Sequence, residues 1–151
     1  MEQAVLVLIK PDAIQRKLTG AVLARLESLD VKLIGAKAVR VDHALAEEHY
    51  TRLRGKPFFD DMIRYLCGEL HGVEFVVALV FWGEEAIRQI RHVAGATNPE
   101  AAAPGTIRGA YGCLTSGGRM ENVLHASSDE SEAKREIALW FRPEELLIQL
   151  P

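Results

Sequence analysis

The stretch VEFVVALVF, residues 73–81, is the most apolar run in the chain and decides its fold class. Its length and its valine and phenylalanine content predict a central β-strand that is covered on at least one face. The residues from Glu84 to Ala94 follow with apolar side chains at helical spacing and stop at Gly95, so a helix comes directly after this strand. A strand followed at once by an amphipathic helix predicts a layered domain of sheet and helices.

Upstream of this stretch the sequence predicts two more strands, Ala4 to Ile9 and Val31 to Val41. The first ends in the polar turn Lys10-Pro11-Asp12, and the helix between the two strands has Thr19 as its expected N-cap. A hairpin of two short helices then joins the second strand to the apolar run, with the helices at Asp42 to Arg54 and Pro57 to Leu66.

Downstream, the periodicity stops between Ala96 and Met120, and a glycine- and proline-rich loop of this length in a compact domain is usually functional. Val123-Leu124 predicts a last short strand, and Asp129 begins a final helix with Trp140 on its apolar stripe. The element order predicts an α+β fold. We expect a ferredoxin-like split βαββαβ arrangement, in which a four-stranded antiparallel sheet is covered by helices on one face.

Composition and charge exclude several classes of protein. With 48% hydrophobic and 26% charged residues, the chain can build one core, so we expect residues 1–151 to form a single domain. The net charge of −3 provides no positive field for coating nucleic acid, and no stretch approaches the length of a membrane span. Cys67 and Cys113 have no metal-ligand spacing and are expected to be reduced, buried thiols. Together with the lack of a signal-peptide pattern, they predict a cytoplasmic protein.

Basic side chains around the long loop are candidates for binding phosphate. The chain has no glycine-rich phosphate loop, so arginine and lysine would have to perform this role. The candidates are Lys10, Arg88, Arg91, Thr97 and Arg108, and four of them lie in or beside the irregular segment. Solvated surface charge is the alternative for each, and the sequence leaves both interpretations open.

His125 is the candidate nucleophile. A neutral imidazole is nucleophilic near neutral pH, and a carboxylate such as that of Glu136 can fix its tautomer through the second ring nitrogen. A purely structural histidine is the alternative, and it also stays open. The other histidines fit no metal-ligand spacing and are expected at exposed helix or turn positions without a role: His43, His49, His71 and His92.

Three aromatic residues flank the corner between the two short helices, namely Tyr50, Phe58 and Phe59. Each of them either packs in the core or lies open over a cleft. An open ring would bind a nucleobase through its π-face without distinguishing one base from another.

Taken together, these segments resemble the nucleoside diphosphate kinases, and the resemblance extends through nearly the whole chain. It is carried by Lys10-Pro11-Asp12, His49-Tyr50 with Lys56-Pro57-Phe58-Phe59, Thr97-Asn98-Pro99 with Pro104-Gly105-Thr106-Ile107-Arg108-Gly109, Asn122-Val123-Leu124-His125-Ala126-Ser127, and Glu136-Ile137-Ala138-Leu139-Trp140-Phe141. The segment around His125 is similar to the active-site signature of the family.

The resemblance implies a ping-pong phosphotransferase. A nucleoside triphosphate, mainly ATP, would give its γ-phosphate to His125, and the phosphohistidine would pass it to a nucleoside diphosphate. The other catalytic residues would be Lys10, Glu136 and Ser127, of which the last two orient the histidine. Phe58 would stack on the base, and contacts to phosphate or ribose would come from Lys10, Tyr50, Arg91, Thr97, Arg108 and Asn122.

The same resemblance implies a cofactor and an assembly. Mg²⁺ would be carried by the nucleotide phosphates and would have no direct protein ligand. The chain would form a homo-oligomer, either a hexamer or a tetramer.

Two features depart from the family pattern. The family commonly has Gly-Ser-Asp after the histidine, whereas this chain has Ala126-Ser127-Ser128-Asp129, so the acid is displaced and is expected to cap the last helix. The segment from Tyr111 to Glu121 is a few residues longer than in many relatives. The alternative function is a non-catalytic nucleotide-binding regulatory module on the same fold, which would not need a positioned nucleophile.

Overall fold

A four-stranded antiparallel sheet forms the centre of the computed structural model, which describes residues 1–151. The strands of the chain are β1 (Glu2–Ile9), β2 (Lys32–Arg40), β3 (Phe75–Glu84), β4 (Cys113–Leu114), β5 (Met120–Glu121) and β6 (Leu124–Ala126). In the main sheet the spatial order is β2-β3-β1-β6, and β4 pairs with β5 in a separate hairpin. The apolar run therefore forms most of β3, one of the two central strands, as the sequence predicts.

Seven α-helices connect these strands and pack against the sheet. They are α1 (Pro11–Gln15), α2 (Thr19–Glu27), α3 (His43–His49), α4 (Phe59–Leu66), α5 (Ala86–Ala94), α6 (Ile107–Tyr111) and α7 (Glu130–Trp140). Three short 3-10 turns lie at Thr51–Leu53, Pro99–Ala101 and Pro143–Glu145. The α+β class and the four-stranded antiparallel sheet are confirmed.

Helices cover both faces of the sheet, so the expectation of a single covered face is wrong. In β1, Val5 and Val7 pack into one core cluster with α2 and α5, whereas Leu6 and Leu8 pack into a second cluster with α4 and α7. The physical reason is that β1 is apolar at successive positions, and alternating side chains point to opposite faces. A strand of this kind needs a hydrophobic layer on each side.

The ends of several helices follow from their capping residues. The carboxylate of Asp129 accepts a hydrogen bond from the backbone N–H of Glu132, as predicted, and α7 begins there. The expectation for Thr19 is wrong, because α2 already includes Thr19 and its N-cap is Leu18, which makes no side-chain cap. Gly95 ends α5 with a φ of 90°, a backbone conformation that glycine adopts without strain.

Two short helices lie where the sequence predicts none. α1 occupies the expected polar turn after β1, and α6 interrupts the long loop. The Thr106 hydroxyl begins α6 by accepting a hydrogen bond from the Gly109 N–H at 3.1 Å. Each of these helices has five residues, which is too short for an apolar periodicity to show in the sequence.

Two further expectations concern the burial of the cysteines and the presence of a helix that could span a membrane. Both cysteines are free, but Cys113 is exposed and Cys67 only partly buried, so the expectation of two buried thiols is wrong. None of the seven helices combines the length and the apolar character that crossing a membrane requires.

Replacement of Leu26 by alanine tests the core beneath α2. Leu26 is fully buried in the cluster that α2 shares with β1 and α5, so we expect the variant to lose about 2–5 kcal/mol of unfolding free energy. The measurement is urea unfolding at equilibrium. The matched control is Leu147→Ala, whose side chain is 74% exposed and whose loss should cost less than about 0.5 kcal/mol. Equal effects of the two substitutions would contradict the assignment of the core.

Candidate active site

His125 lies in β6, directly opposite Leu8 of β1. Strand alternation directs Leu124 and Ala126 into the core that β1 shares with α5, and it leaves His125 on the opposite side, towards α7. There the His125 Nε2 forms a hydrogen bond with the carboxylate of Glu136. The side chain of His125 is 20% exposed, so one edge of the ring remains accessible.

The surroundings of His125 keep its imidazole neutral. Burial lowers the pKa of His125 well below its usual value, and the positive charges of Lys10, Arg108 and Arg91 lower it further. A neutral ring that donates its Nε2–H to the Glu136 carboxylate carries no proton on Nδ1. The arrangement therefore presents Nδ1 as a free nucleophile.

Glu136 is a buried carboxylic acid that is 2% exposed. Burial raises the pKa of Glu136 to about 8, and the nearby charge of Glu132 also raises it. The hydrogen bond from His125 favours the ionised form, since the Nε2–H needs an acceptor. The Glu136 carboxylate thus holds the ring of His125 and can balance positive charge that develops on it.

Lys10 stands at the end of β1, where the apolar run stops. Its ammonium donates a hydrogen bond to Asn122 Oδ1 at 2.8 Å, and the side chain is buried. Burial lowers the pKa of Lys10 to about 7, and the charge of Arg108 lowers it as well. An anion that bound beside Lys10 would favour its charged form.

Arg108 on α6 holds two backbone segments together, Gly95 after α5 and the stretch from Asn122 to Leu124 at the start of β6. Its guanidinium donates hydrogen bonds to the carbonyls of Leu124 at 2.7 Å, Gly95 at 2.9 Å and Asn122 at 3.2 Å. Three of its five N–H groups are used in this way, and two stay available for a ligand. Burial, and then the charge of Arg91, lowers the pKa of Arg108 to about 10.

The long loop and α5 add polar groups beside this pair of cations. Asn122 Nδ2 donates to the carbonyl of Thr97 at 3.1 Å, so Asn122 connects Thr97 with Lys10. Arg91 NH1 lies 3.5 Å from the carbonyl of Ala126, next to His125 in the chain. The structure therefore brings together Lys10, Arg91, Thr97, Arg108, Asn122 and His125, which lie far apart in the sequence.

The structure shows for three of the candidate phosphate-binding residues whether their charge is buried or solvated. Lys10 and Arg108 are buried, so the interpretation as solvated surface charge is wrong for them. Arg88 is exposed and its guanidinium lies 3.9 Å from Glu85, so solvated surface charge describes it well.

A strained backbone precedes the nucleophile. Val123 has a φ of 73°, in the left-handed region that a β-branched residue rarely adopts. The Asp12 carboxylate holds this conformation by accepting from the Val123 N–H at 3.1 Å and from the Tyr65 hydroxyl at 2.5 Å. Lys10 N–H also donates to the Val123 carbonyl at 2.9 Å. These bonds fix where β6 begins and hence where His125 points.

The aromatic residues divide between the core and the surface. Tyr50 is buried, and burial raises the pKa of its hydroxyl. Phe59 is only partly buried and packs against the second core cluster. Phe58 is 50% exposed just before α4, so its ring is the one that is open to a flat ligand.

The residues after His125 stabilise the strand and the next helix. Ser127 Oγ accepts from the Leu6 N–H at 3.1 Å, which extends the pairing of β6 with β1. Ser128 donates to the carboxylate of Asp129 at 3.0 Å, and Asp129 caps α7. The Ser127 hydroxyl therefore supports His125 by attaching the residue that follows β6 to β1.

The segment from Tyr111 to Glu121 contains the hairpin of β4 and β5. The Arg119 guanidinium lies 3.4 Å from Glu121 and 3.8 Å from Asp61 on α4, so the hairpin is attached to the helix that follows Phe58. This segment ends directly before Asn122.

Two histidines were expected to be exposed, and the structure shows them buried. His49 is 3% exposed, and its ring lies edge-on to that of His125 with the centroids 4.4 Å apart. The side chain of His71 is mostly buried, and its Nε2 lies 2.7 Å from Glu121 Oε1. The sequence contains a signal for His49, because it shares one face of α3 with Leu45 and Ala46 at helical spacing.

Three side chains of the site have ligand atoms that lie close to one another. His49, His125 and Glu136 offer ligand atoms that all lie within 4.8 Å of one another. However, His49 Nδ1 accepts from the Trp140 indole N–H at 3.1 Å, and His125 Nε2 is bonded to Glu136. A hard cation such as Mg²⁺ needs several oxygen ligands, and these side chains offer only the single, already engaged carboxylate.

Comparison with known proteins identifies relatives along most of the chain. Residues 3–146 match the family model described as nucleoside diphosphate kinase. A nucleoside diphosphate kinase of Pyrococcus furiosus is 46% identical over 93% of this chain and 84% of its own length. One of Staphylococcus haemolyticus is 47% identical over 92% of this chain and 87% of its own.

Solved structures show the same relationship. A transition state mimic of the enzyme from Borrelia burgdorferi, with bound vanadate and ADP, superposes with a TM-score of 0.87 at 33% identity, covering 99% of this chain and 93% of that one. The Halobacterium salinarum enzyme in complex with CDP gives 0.86 at 39% identity, covering 100% and 95%.

Replacement of Asp12 by alanine tests the support of the strained backbone. The change leaves the Val123 N–H and the Tyr65 hydroxyl without an acceptor, so we expect a loss of about 2–5 kcal/mol in unfolding free energy. Equilibrium urea unfolding measures it. The control is Asp60→Ala on the surface of α4, which should cost less than about 1 kcal/mol. An Asp12 variant as stable as the control would contradict this role.

Proposed function

The chain belongs to the nucleoside diphosphate kinase family and is a phosphotransferase, and we propose that it acts by a ping-pong mechanism through a phosphohistidine on His125. A nucleoside triphosphate, mainly ATP, gives its γ-phosphate to the histidine, which then passes it to a nucleoside diphosphate. The observation that carries this proposal is the geometry of His125. Its Nε2 is engaged by Glu136, which leaves Nδ1 as the unprotonated nitrogen of a ring on which the positive charges of Lys10 and Arg108 act.

In the first half-reaction, the Nδ1 lone pair of His125 attacks the γ-phosphorus. A nitrogen–phosphorus bond forms, and the bond from that phosphorus to the bridging oxygen breaks, so that a nucleoside diphosphate leaves with the electron pair. No proton has to leave His125, because Nδ1 carries none. The ring becomes more positive, and the ionised carboxylate of Glu136 stabilises it through Nε2–H. The second half-reaction reverses these steps with another diphosphate.

The cationic residues stabilise the phosphoryl group during its transfer. Phosphoryl transfer passes through a loose transition state with charge on three oxygens, so positioning and positive charge are the main requirements. Lys10, Arg91 and Arg108 supply the charge, and Tyr50, Thr97 and Asn122 are proposed to add contacts to phosphate or ribose. The buried Lys10 would gain its full charge when a phosphate lies next to it.

Base binding and ring orientation complete the proposed roles. The exposed ring of Phe58 can stack on a nucleobase through its π-face, which accommodates purines and pyrimidines alike. Glu136 orients His125 directly. Ser127 does so by attaching β6 to the backbone of Leu6.

Mg²⁺ is the proposed cofactor, carried on the nucleotide. The residues beside His125 are cations, amides and a single engaged carboxylate, which fits an ion that is held by phosphate oxygens and water and not by the protein. Bound in this way, Mg²⁺ would neutralise part of the phosphate charge.

The remaining proposals concern the whole chain. We propose that residues 1–151 act as one kinase domain, which is supported by the two core clusters that share a single sheet. A homo-oligomer, hexamer or tetramer, is proposed from the resemblance to the family. The two free cysteines support a cytoplasmic location, where thiols stay reduced. The regulatory-module alternative is not favoured, because nucleotide binding alone needs no oriented imidazole.

Intact-mass spectrometry with Mg²⁺ and ATP tests the proposed mechanism. We expect the mass to increase by one phosphate, which mild acid removes and which added GDP converts to GTP. His125→Ala should show neither product while still binding nucleotide, and His43→Ala, an exposed histidine on α3, should behave as the unchanged protein. Turnover by the His125 variant would exclude His125 as the phosphoryl acceptor.

The pH dependence of turnover tests the role of Glu136. Because the pKa of Glu136 is about 8, its carboxylate is ionised above this pH and protonated below it, so kcat at saturating nucleotide should rise with pH up to about 8. Glu136→Gln keeps an acceptor for Nε2–H but has no charge. We expect kcat to fall by roughly 10- to 100-fold and the decline below pH 8 to disappear. An unchanged profile in this variant would contradict the assignment.

A further inference from the structure

His49 has no role in the mechanism described so far, yet it lies against its two central residues. It is the last residue of α3, and its side chain is 1% exposed. Its ring packs edge-to-face on His125, with the planes at 83° and the centroids 4.4 Å apart. Its Nδ1 lies 3.9 Å from Glu136 Oε2, the same oxygen that bonds to His125.

The tautomer of His49 is fixed by Trp140. The indole N–H of Trp140 donates to His49 Nδ1 at 3.1 Å, so Nδ1 is unprotonated and the proton of the neutral ring is on Nε2. His49 Nε2 is buried and has no hydrogen-bond partner. A buried unpaired donor costs free energy, so this tautomer is imposed by the surroundings and not by the bonding of His49 itself.

The charges around His49 also keep it neutral. The groups that face it are Lys10 at the end of β1, His125 on β6, and Arg135 and Glu136 on α7. Burial lowers the pKa of His49 well below its usual value, and the nearby positive groups lower it further. A proton on Nδ1 would create a second N–H close to the Glu136 carboxylate, in competition with that of His125.

The end of α3 is attached to α7 independently of any nucleotide. The Arg135 guanidinium donates to the carbonyls of Glu48 and His49, at 2.9 Å each. Arg135 lies on the same helix as Glu136 and Trp140, so one helix fixes both the position of His49 and its tautomer. The arrangement is therefore preformed in the free protein.

We propose that His49 is a positioning residue for His125. Its uncharged ring, held by the Trp140 indole N–H, donates no hydrogen bond to Glu136, so the Glu136 carboxylate stays available to His125. The same ring packs against His125 and fixes the plane of the His125 ring. This proposal rests on the proposed function of His125 as the phosphoryl acceptor. His49 itself touches no reacting atom.

Substitutions at His49 and Trp140 distinguish the contribution of the His49 ring from that of its hydrogen bond with the Trp140 indole N–H. Trp140→Phe removes the donor, so the single proton of the neutral His49 ring can move from Nε2 to Nδ1, where it faces Glu136. His49→Phe keeps a ring but can neither accept nor carry a proton, and His49→Asn keeps an acceptor near Nδ1 but has no ring. The matched controls are Trp82→Phe, at the other tryptophan of the chain, and His43→Asn, at the exposed first residue of α3.

The first measurement is the single-turnover rate of His125 phosphorylation by ATP and Mg²⁺ between pH 6 and 9. In Trp140→Phe we expect a loss of about tenfold at neutral pH, with the decline below pH 8 moved to lower pH, because a second N–H directed at Glu136 favours its ionised form. The double variant Trp140→Phe/His49→Phe should recover the original pH profile, because a phenylalanine ring has no N–H that could face Glu136. His49→Asn should be slower by about tenfold at every pH without a shift of the profile.

Thermal unfolding and nucleotide binding complete the design. A merely structural role would lower Tm in Trp140→Phe and leave the pH profile of the folded protein unchanged, and that result would overturn the proposal. So would a double variant that behaves like Trp140→Phe alone. The nucleotide Kd should change less than about threefold in each variant, and both controls should match the unchanged protein.

Histidine ¹⁵N spectra of the free protein separate failure of this proposal from failure of the proposed function. At pH 9, where Glu136 is ionised, we expect His125 to be protonated only on Nε2, and Trp140→Phe should produce a mixture of the two neutral tautomers of His49. If this holds and no phosphohistidine forms even in the unchanged protein, the proposed function fails while the positioning of His125 by His49 stands. If phosphorylation occurs but neither the spectra nor the rates respond to Trp140→Phe, the role of His49 is wrong.

Discussion

A strand that is apolar at successive positions has to be covered on both faces, and β1 imposes this constraint on the whole chain. Helices α2 and α5 cover one face, and α4 and α7 cover the other. Polar chemistry can emerge only at the end of such a strand, where the apolar run gives way to Lys10. Because β6 pairs with the last three residues of β1, it brings His125 to this end, against the helix that carries Glu136.

The site that results lowers the stability of the empty protein. Burial disfavours the charged forms of both Lys10 and Glu136, and the left-handed backbone at Val123 adds strain. Hydrogen bonds from Arg108 and to Asp12 offset part of this cost by tying the surrounding backbone together. A polyphosphate would place negative charge next to the buried cations of the site, so its binding should stabilise the folded protein.

The sequence predicted the elements whose pattern is continuous, such as β3 and α5, and it predicted the pairing of His125 with a carboxylate from the chemistry of imidazole. It did not predict α1 and α6, since five residues are too few for a periodicity to show. The prediction of a single covered face is wrong because Val5 to Ile9 do not alternate with polar residues, and only such alternation indicates a strand with one solvent-facing side. The burial of His49 is indicated by the face that it shares with Leu45 and Ala46, but its contact with His125 is not, because that contact joins elements far apart in the sequence.

The pairing of β1 with β6 has a consequence for the order of folding. Leu6 is bonded to Ser127, 121 positions away, and Lys10 to Asn122, 112 positions away. Contacts over such separations are among the slowest to form, because the chain loses the entropy of closing a long loop before the contact contributes any stabilising energy. On a ribosome, the chain must emerge almost completely before Lys10 can meet Asn122. Recovery of catalytic activity during refolding would therefore mark the completion of the fold and not its initial collapse.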